Sequence, residues 1–317
     1  MRHHRVIIVG GGPAGAACAW RLIQADVECL ILDKQTFPRT KTCAGWITPR
    51  VLEDLNLSPE EYPHSLTTYA YLKVFLKGIP ITRPGTQFAI RRIEFDHWLL
   101  KKSQAPIIRH EVKDISTSGG HFKIDNQFTA EYLVGAGGTH CPVYKTFFRD
   151  NHPRTGNQII ALEEEFAADC QNKECRLWFF EGGLPGYAWY VPKSGGYLNI
   201  GVGGNSEVLK QKGSSILEHW DFLISKLQNK GLVGNREFNP DGYVYYLRGH
   251  KNQVQHGNLF LVGDAAGLAT LDMGEGIGPA IQSGLLAAET ILGEGEYDIS
   301  GIQQFSLLPP LLQWIIR

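Results

Sequence analysis

The stretch Arg5-Val6-Ile7-Ile8-Val9-Gly10-Gly11-Gly12-Pro13-Ala14-Gly15 decides the fold of this chain. Its apolar run predicts a strand buried on both faces of a parallel sheet. The glycines have a dinucleotide-binding spacing: the first permits a tight turn, the second lets a pyrophosphate approach the backbone, and the third lets a helix pack close to the strand. Residues 14–25 predict that helix, with its N-terminal amides directed at the phosphates. The candidate cofactor-binding residues in this stretch are Gly10, Gly12, Pro13, Ala14 and Gly15.

An acidic residue follows the glycines at the sequence distance that is typical of a dinucleotide-binding strand–helix–strand unit. Residues 27–32 predict a second strand, which ends at Asp33. An acid about 20 residues beyond the glycines normally binds a ribose hydroxyl. We therefore count Asp33 and its neighbour Lys34 among the candidate cofactor-binding residues. A plain strand–helix–strand unit without a nucleotide is the alternative, which the combination of glycines and acid disfavours.

Two further predicted strands end in glycine-rich turns. They are Leu133-Val134-Gly135-Ala136-Gly137-Gly138 and Leu259-Phe260-Leu261-Val262-Gly263-Asp264-Ala265-Ala266-Gly267. Three such turns in one chain indicate a single extended cofactor held at several points, and we predict that it is FAD. Asp264 is expected to accept a hydrogen bond from a ribityl hydroxyl. The candidates in these two segments are Gly137, Gly263 and Asp264.

Composition narrows the class of protein. Lys and Arg number 31 against 32 Asp and Glu, a formal charge of -1 that gives no reason to expect nucleic acid as a partner. The six cysteines have neither a C-x-x-C pair nor metal-ligand spacing, so we expect no metal site and reduced, cytoplasmic thiols. No apolar run reaches the about 18 residues that a membrane span needs.

The sequence predicts a discontinuous domain organisation. Residues 1–66, 91–157 and 252–296 are assigned to a FAD-binding domain. Residues 67–90, which predict a hairpin, and 158–251, rich in aromatics and strands, are assigned to a substrate-binding domain with an antiparallel sheet. Residues 297–317 form a short apolar C-terminal tail. This tail is expected to pack on the body. The alternatives are that it caps the substrate opening, binds a partner, or makes a peripheral contact with the inner face of a membrane.

Three motifs carry a family resemblance. The glycine segments, together with Arg92-Ile93-Glu94-Phe95-Asp96, resemble the FAD-dependent oxidoreductase superfamily built like p-hydroxybenzoate hydroxylase. Tyr187-Ala188-Trp189-Tyr190-Val191-Pro192, followed after eight residues by Gly201-Val202-Gly203, resembles the Y-x-W-x-F-P…G-x-G signature of its geranylgeranyl reductase branch, with valine in place of phenylalanine. Lys41-Thr42-Cys43-Ala44-Gly45 resembles the cysteine-glycine segment of that branch beside the flavin.

The resemblance implies an α/β fold: a Rossmann-like FAD-binding domain of the p-hydroxybenzoate hydroxylase type with an inserted antiparallel β-sheet substrate domain. It implies that Arg92 helps to hold FAD. It also implies that Gly274, Gly276 and Ile277 place a helix N-terminus under the pyrimidine edge of the flavin, where it stabilises negative charge. A plain surface turn before a helix is the alternative for that segment.

One position departs from the family pattern. Gly137 stands where the family usually has an aspartate that organises FAD phosphates and the approach of NAD(P)H. Loss of this acid disfavours direct use of NAD(P)H. The expected electron donor is NAD(P)H or, in its place, a redox partner protein such as a ferredoxin, a flavodoxin-like protein or a separate reductase.

The resemblance also implies the chemistry. Cys43, Tyr187 and Trp189 are the candidate catalytic residues. Tyr187 and Trp189, together with Tyr190, are expected to line an apolar tunnel and to face a cationic transition state, and Cys43 is expected to position substrate or modulate the flavin. Simple packing of a sheet and of a small core thiol are the alternatives. We expect hydride transfer from flavin N5 to carbon–carbon double bonds of a prenyl or other lipidic substrate. The alternatives are a monooxygenase or halogenase acting through a flavin C4a-hydroperoxide, or a non-catalytic flavin carrier or lipid-binding protein.

Overall fold

The computed structural model of the chain describes residues 1–150, 157–170, 172–249 and 253–307. These residues divide into two compact units, the first comprising Met1–Arg39, Ile93–Thr155 and Tyr246–Arg317 and the second Thr40–Arg92 and Gly156–Tyr245. Residues 40–66, which the sequence analysis assigns to the FAD-binding domain, thus group with the second unit. The end of the expected C-terminal tail, residues 308–317, lies outside the described residues.

Both units contain strands and helices. The strands are β1 (Arg2–Val9), β2 (Cys29–Asp33), β3 (Trp46–Ile47), β4 (Thr67–Leu76), β5 (Ile79–Ala89), β6 (Ile107–Arg109), β7 (Ile115–Ser118), β8 (His121–Ile124), β9 (Phe128–Gly135), β10 (Gln158–Ala167), β11 (Arg176–Phe179), β12 (Gly186–Lys193), β13 (Tyr197–Asn205), β14 (Asp241–Tyr246), β15 (Gln255–His256) and β16 (Leu259–Leu261). The helices are α1 (Pro13–Gln24), α2 (Pro49–Asp54), α3 (Arg92–Ser103), α4 (Pro142–Phe147), α5 (Ser206–Gln211), α6 (Ile216–Asn229) and α7 (Ile277–Leu292). Short 3₁₀ helices cover Gly138–His140, Glu181–Gly183, Gly263–Ala265 and Ile299–Gly301.

The first unit is built on a sheet whose central strands are parallel. Its order is β15-β16-β9-β1-β2-β6, with the hairpin β7–β8 joined to β9. The register places Val9 beside Gly135, and Gly135 beside Leu261. Because parallel strands end at the same edge, the three glycine turns that follow β1, β9 and β16 lie side by side. This is the arrangement that one cofactor held at several points requires.

Small residues let α1 and α7 converge near that edge. A Cβ on Gly284 of α7 would overlap the carbonyl oxygen of Ala14 in α1, and a Cβ on Gly263 would lie 3.2 Å from Ala14 Cβ and 3.1 Å from Ala280 Cβ. The α7 helix begins at Ile277, with Gly276 as its N-cap and Pro279 in its first turn, where the missing N–H costs no helical hydrogen bond.

The second unit is built on an eight-stranded sheet of order β14-β10-β13-β12-β11-β4-β5-β3. The pairs β10–β13, β13–β12, β12–β11, β4–β5 and β5–β3 are antiparallel, whereas β11–β4 is parallel. One face packs on α6, where Trp178, Tyr190 and Val202 meet Trp220 and Leu223 in a buried cluster. A capping box between Ser215 and Glu218 starts α6. The predicted fold class, α/β with an inserted and largely antiparallel sheet, is confirmed.

Candidate functional site

The first and third glycines of the opening motif are demanded by backbone packing. Gly10 has φ +114°, and a Cβ there would overlap Ala136 O and lie 2.8 Å from Gly137 N. A Cβ on Gly15 would overlap Gly10 O and approach Ile8 Cγ2 to 3.1 Å. The first two glycine segments are therefore in direct contact, and α1 packs tightly against β1.

Gly12 is different. Among the described residues, a Cβ on Gly12 has a neighbour within 4 Å only in Arg39, whose Nη2 lies 3.4 Å away. Gly12 is also the N-cap of α1, with Pro13 in the first turn, so no side chain of its own caps the free amides of the helix. Backbone that stays open at the positive end of a helix fits the diphosphate of a dinucleotide.

Asp33 lies beside the same turn, at the end of β2. Its Oδ2 accepts a hydrogen bond of 2.7 Å from the Gly11 amide, and its Oδ1 accepts one of 2.8 Å from the Gln35 amide. The carboxylate is thus fixed next to the glycines, which is the position that a ribose ligand needs. Lys34 is exposed to solvent.

Arg39 was missed by the sequence analysis. Its guanidinium lies next to Gly12, 4.8 Å from the centroid of the Phe37 ring, with Nη1 3.4 Å from Asp96 Oδ2. The Asp96 side chain is fully buried, and it belongs to the motif in which sequence alone singles out Arg92. Asp96 is the signal that could have led to Arg39, because a carboxylate buried on α3 requires a cation from another part of the chain.

The third glycine segment meets the start of α7. Asp264 Oδ1 lies 3.2 Å from the position of a Cβ on Gly276, and Gly274 has φ +61°. The Gly263 amide donates a 2.9 Å hydrogen bond to Ser283 Oγ on α7. The predicted residues Gly263, Asp264, Gly274, Gly276 and Ile277 are therefore neighbours around one helix N-terminus.

Glu275, within that segment, is a buried carboxyl to which the sequence assigns no role. Its Oε1 accepts a 2.6 Å hydrogen bond from the Gly278 amide, while its buried Oε2 has no hydrogen-bond partner within the described residues. Burial raises the pKa of Glu275 to about 7, and nearby Asp272 and Asp264 act in the same direction against the backbone hydrogen bonds. This group therefore changes charge near neutral pH at the start of α7.

In the second unit, a chain of hydrogen bonds links Trp189 to Cys43. The Trp189 indole donates to Asn199 Oδ1 at 2.7 Å, and Asn199 Nδ2 donates to Glu163 Oε2 at 2.5 Å. Glu163 Oε1 accepts the Cys43 amide at 2.6 Å, and the Gly45 amide donates to Cys43 Sγ at 3.3 Å. Two residues absent from the sequence prediction, Glu163 and Asn199, thus position two that were in it.

The charges around this network are paired. Burial raises the pKa of Glu163, against the opposing influence of Lys193 and of the Asn199 hydrogen bond. Glu165 accepts hydrogen bonds from Lys193 at 2.5 Å and from Arg91 at 2.8 Å. Burial alone would raise the pKa of Glu165, but these two cations hold it below its usual value.

The aromatic residues predicted to face a substrate lie on β12. Trp189 is buried, and its ring centroid is 5.7 Å from that of Tyr187, which stacks on Phe179 at 5.0 Å. Tyr190 has the opposite orientation and packs in the α6 cluster. Arg92 is the buried first residue of α3. The roles assigned to these residues and to Cys43 stay predictions.

Comparisons with known proteins agree with this geometry. A family model described as FAD dependent oxidoreductase matches residues 5–104. An uncharacterised protein of Methanosarcina barkeri is 30% identical over 321 residues, covering 96% of this chain and 79% of that protein. A menaquinone reductase of Mycobacterium tuberculosis is 25% identical over 314 residues, covering 90% and 76%. Digeranylgeranylglycerophospholipid reductase 3 of Methanosphaera stadtmanae is 25% identical over 327 residues, covering 95% and 81%.

This chain belongs to the FAD-dependent oxidoreductases, in the same family as the Methanosarcina barkeri protein. It is an enzyme, and its cofactor is FAD. Solved structures share the fold: a geranylgeranyl bacteriochlorophyll reductase-like protein from Thermoplasma acidophilum has a TM-score of 0.78 at 19% identity, covering 94% of this chain and 81% of that chain. A flavin-dependent brominase has a TM-score of 0.72 at 18% identity, covering 94% and 81%.

Two kinds of feature are absent from the described residues. No helix there is both long and apolar enough to cross a bilayer. Nor does the described part of the chain place three or more His, Cys, Asp or Glu side chains where they could hold a metal ion.

The departure from the family at Gly137 has a steric counterpart in this structure. A Cβ on Gly137 would lie 3.2 Å from Cys141 Cα and 3.3 Å from Cys141 Sγ. These contacts are tight, so an aspartate at this position would require Cys141 to move.

Proposed function

We propose that this enzyme reduces carbon–carbon double bonds in the isoprenoid chain of a lipid. The observation that carries the proposal is the row Trp189, Tyr187 and Phe179 on the second sheet. Side chains alternate between the faces of a sheet, and Trp178, Ala188 and Tyr190 pack against α6, so this row lies on the other face. A row of apolar ring surfaces suits a long unsaturated hydrocarbon and a cationic centre that develops along it.

The relatives support the class of substrate. Menaquinone and digeranylgeranylglycerophospholipid, which name two of them, are different lipids that share isoprenoid chains. Their similarity to this chain extends over nine-tenths or more of its length, so it includes both units.

In this proposal the first unit holds FAD. Gly12 and the N-terminus of α1 bind the diphosphate, with the Arg39 guanidinium beside them, and Asp33 binds the ribose. Asp264 binds a ribityl hydroxyl, and the start of α7 stabilises negative charge at the pyrimidine edge. The remaining proposed cofactor-binding residues of this unit are Gly10, Pro13, Ala14, Gly15, Lys34, Gly137, Gly263, Gly274, Gly276 and Ile277. Arg92, the last residue of the Thr40–Arg92 segment of the second unit, is also proposed.

FAD, when bound by these residues, would supply a hydride, which carries two electrons, to one carbon of the double bond. Each saturation would therefore consume two electrons from an external donor, NAD(P)H or a redox partner protein, and one proton for the other carbon. The chain contributes position and electrostatics: Glu163 and Asn199 hold the backbone of Cys43, and Trp189 is held by Asn199. Cys43 is proposed to position the substrate.

The test is anaerobic. FAD-loaded protein is photoreduced and mixed with a geranylgeranyl lipid that has no quinone ring, in detergent, and flavin absorbance and product mass are followed. We expect reoxidation of the flavin and a mass gain of two hydrogens per double bond. Phe179→Ala should slow reoxidation while FAD content is retained.

The opposite outcome is equally clear. Flavin that stays reduced with every prenyl lipid, and reoxidises only when air is admitted, would overturn the proposal. An oxygenated or halogenated product under air would then favour the monooxygenase or halogenase alternative.

A further inference from the structure

The β4–β5 hairpin carries large apolar side chains in solvent. Leu76, Ile79 and Ile81 are 42%, 66% and 46% exposed. Leu76 and Ile79 stand directly opposite each other in the strand register, on either side of the exposed turn at Lys77 and Gly78. Ile81 lies two residues along β5 and so shares the face of Ile79. These side chains therefore form one contiguous apolar surface. Exposed apolar residues on soluble proteins are usually scattered singly, so a contiguous group indicates an interaction site.

A neighbouring segment extends this surface. The Lys77 amide donates a 3.2 Å hydrogen bond to Phe179 O, and Phe179 pairs with Leu76 in register. The next residue, Phe180, is 50% exposed. We call Leu76, Ile79, Ile81 and Phe180 the hairpin tip.

The hairpin is positively charged. Between Glu61 and Glu94 the sequence contains no Asp or Glu, while Lys73, Lys77 and Arg83 lie on the hairpin, in a chain whose overall charge is only -1. Acids on adjacent segments are already paired: Glu174 with Arg176 at 3.0 Å, and Glu181 with Lys226. Apolar side chains flanked by cations complement a surface that is both anionic and apolar.

The backbone of β5 argues against a protein strand as the occupant. Over Ile79–Arg83 this strand pairs with β4 alone among the described strands, because β3 pairs only with Phe88 and Ala89. Its outer edge contains Pro80 and Pro84, which lack the N–H that an added strand would need. The edge is thus unsuited to β-sheet extension by a second copy or another chain.

We propose that the hairpin tip, with Lys73, Lys77 and Arg83, docks on an anionic lipid bilayer. The apolar side chains enter the boundary between headgroups and acyl chains, and the cations contact headgroup phosphates, each strengthening binding about fivefold. The purpose of this surface, access to a lipid substrate, rests on the proposed function, whereas its ability to bind a bilayer does not.

The test is flotation of the full-length, FAD-loaded protein with vesicles of phosphatidylcholine alone or mixed with phosphatidylglycerol. We expect binding to the mixed vesicles that weakens with salt. The double variant Ile79→Ser, Ile81→Ser should reduce the partition by about tenfold or more. Lys73→Gln, Lys77→Gln should reduce the preference for phosphatidylglycerol by about tenfold or more and leave the contribution of Arg83. Leu217→Ser is the matched control, since Leu217 is 58% exposed on α6, and it should float like the wild type.

Each other outcome has a definite meaning. FAD retention and thermal unfolding show that the variants are folded. If Ile79→Ser, Ile81→Ser floats as the wild type does, the membrane contact lies elsewhere and the proposal fails. If no vesicles are bound and light scattering finds a dimer that Ile79→Ser dissociates, the occupant is a second copy and the proposal also fails. Vesicle binding without lipid reduction in detergent would overturn the proposed function only.

Discussion

Trp189 lies directly across from Gly201 in the antiparallel pair β12–β13, and a Cβ on Gly201 would overlap its indole ring. The indole N–H is bound by Asn199, two residues before Gly201 on the same face of β13. The spacing of the Y-x-W…G-x-G signature thus reflects a strand register in which the Trp189 ring packs on Gly201, where no side chain intervenes. Asn199 also donates a hydrogen bond to Glu163, which accepts one from the Cys43 amide, so the position of the indole is linked to that of Cys43.

That contact predicts a difference between two glycines of the same strand. Gly201→Ala should lower the free energy of unfolding by about 1–3 kcal/mol, since the new methyl group would displace the indole. Gly203→Ala is the control, because a Cβ there meets Trp189 Cζ3 at an ordinary 3.6 Å. Urea unfolding of both variants measures the difference. Equal losses in the two would show that the indole is not seated on Gly201.

The glycines of the first motif are expected to separate cofactor binding from folding. Gly12→Ala adds a methyl group that meets only the end of the Arg39 side chain among the described residues, so the apoprotein should keep its stability. Its FAD dissociation constant should rise about tenfold or more, because the methyl group occupies the approach of the diphosphate. Gly15→Ala should instead destabilise the apoprotein, since it overlaps Gly10 O. Unchanged FAD affinity in Gly12→Ala would contradict the assignment.

Arg39 is expected to contribute to FAD affinity through its charge. Arg39→Ala should raise the FAD dissociation constant by about 10–100-fold, as expected for loss of a charge-assisted contact. Arg50→Ala is the control, since Arg50 is exposed and pairs with Asp54 on α2. Titration of apoprotein with FAD measures both. Asp96→Asn together with Arg39→Ala separates the cofactor contact from the cost of leaving the buried Asp96 unpaired.

Glu275 makes the stability of the fold depend on pH. Its pKa is raised from 4.5 to about 7 on folding, so the folded state binds more protons than the unfolded state between these values. The stability that Glu275 contributes is therefore complete below the unfolded pKa and is lost as pH rises through the folded one. Relative to Glu275→Gln, the wild type should lose about 1–3 kcal/mol of unfolding free energy between about pH 5 and pH 8.

Urea unfolding across that pH range measures the effect of Glu275. Glu289→Gln, on α7, provides the control and should leave the pH dependence as in the wild type. A difference between wild type and Glu275→Gln that is constant with pH would show that the carboxyl does not titrate in this window.

Local sequence determined the parts of this protein that depend on backbone conformation. The glycine spacing after β1 requires a tight turn and close helix packing, and Gly10 and Gly15 meet both requirements within six residues of chain. The apolar runs before Gly135 and Gly263 predicted strands of the same kind, and buried parallel strands necessarily bring their ends to one edge. The Tyr187–Pro192 and Gly201–Gly203 segments lie in the range that was predicted to form the inserted sheet, and they belong to β12 and β13.

Only the tertiary structure decided which side chains meet at the site. Cys43 and Glu163 are 120 residues apart, and their hydrogen bond depends on the register of several strands. Arg39 lies outside every recognised motif, and its place beside Gly12 follows from the fold of the loop after β2. Whether Tyr190 faced a substrate or α6 was set by the packing of α6 on one face of the sheet. Glycine turns and strands are encoded by neighbours in the chain, whereas buried polar networks form from partners that only folding brings within hydrogen-bond distance.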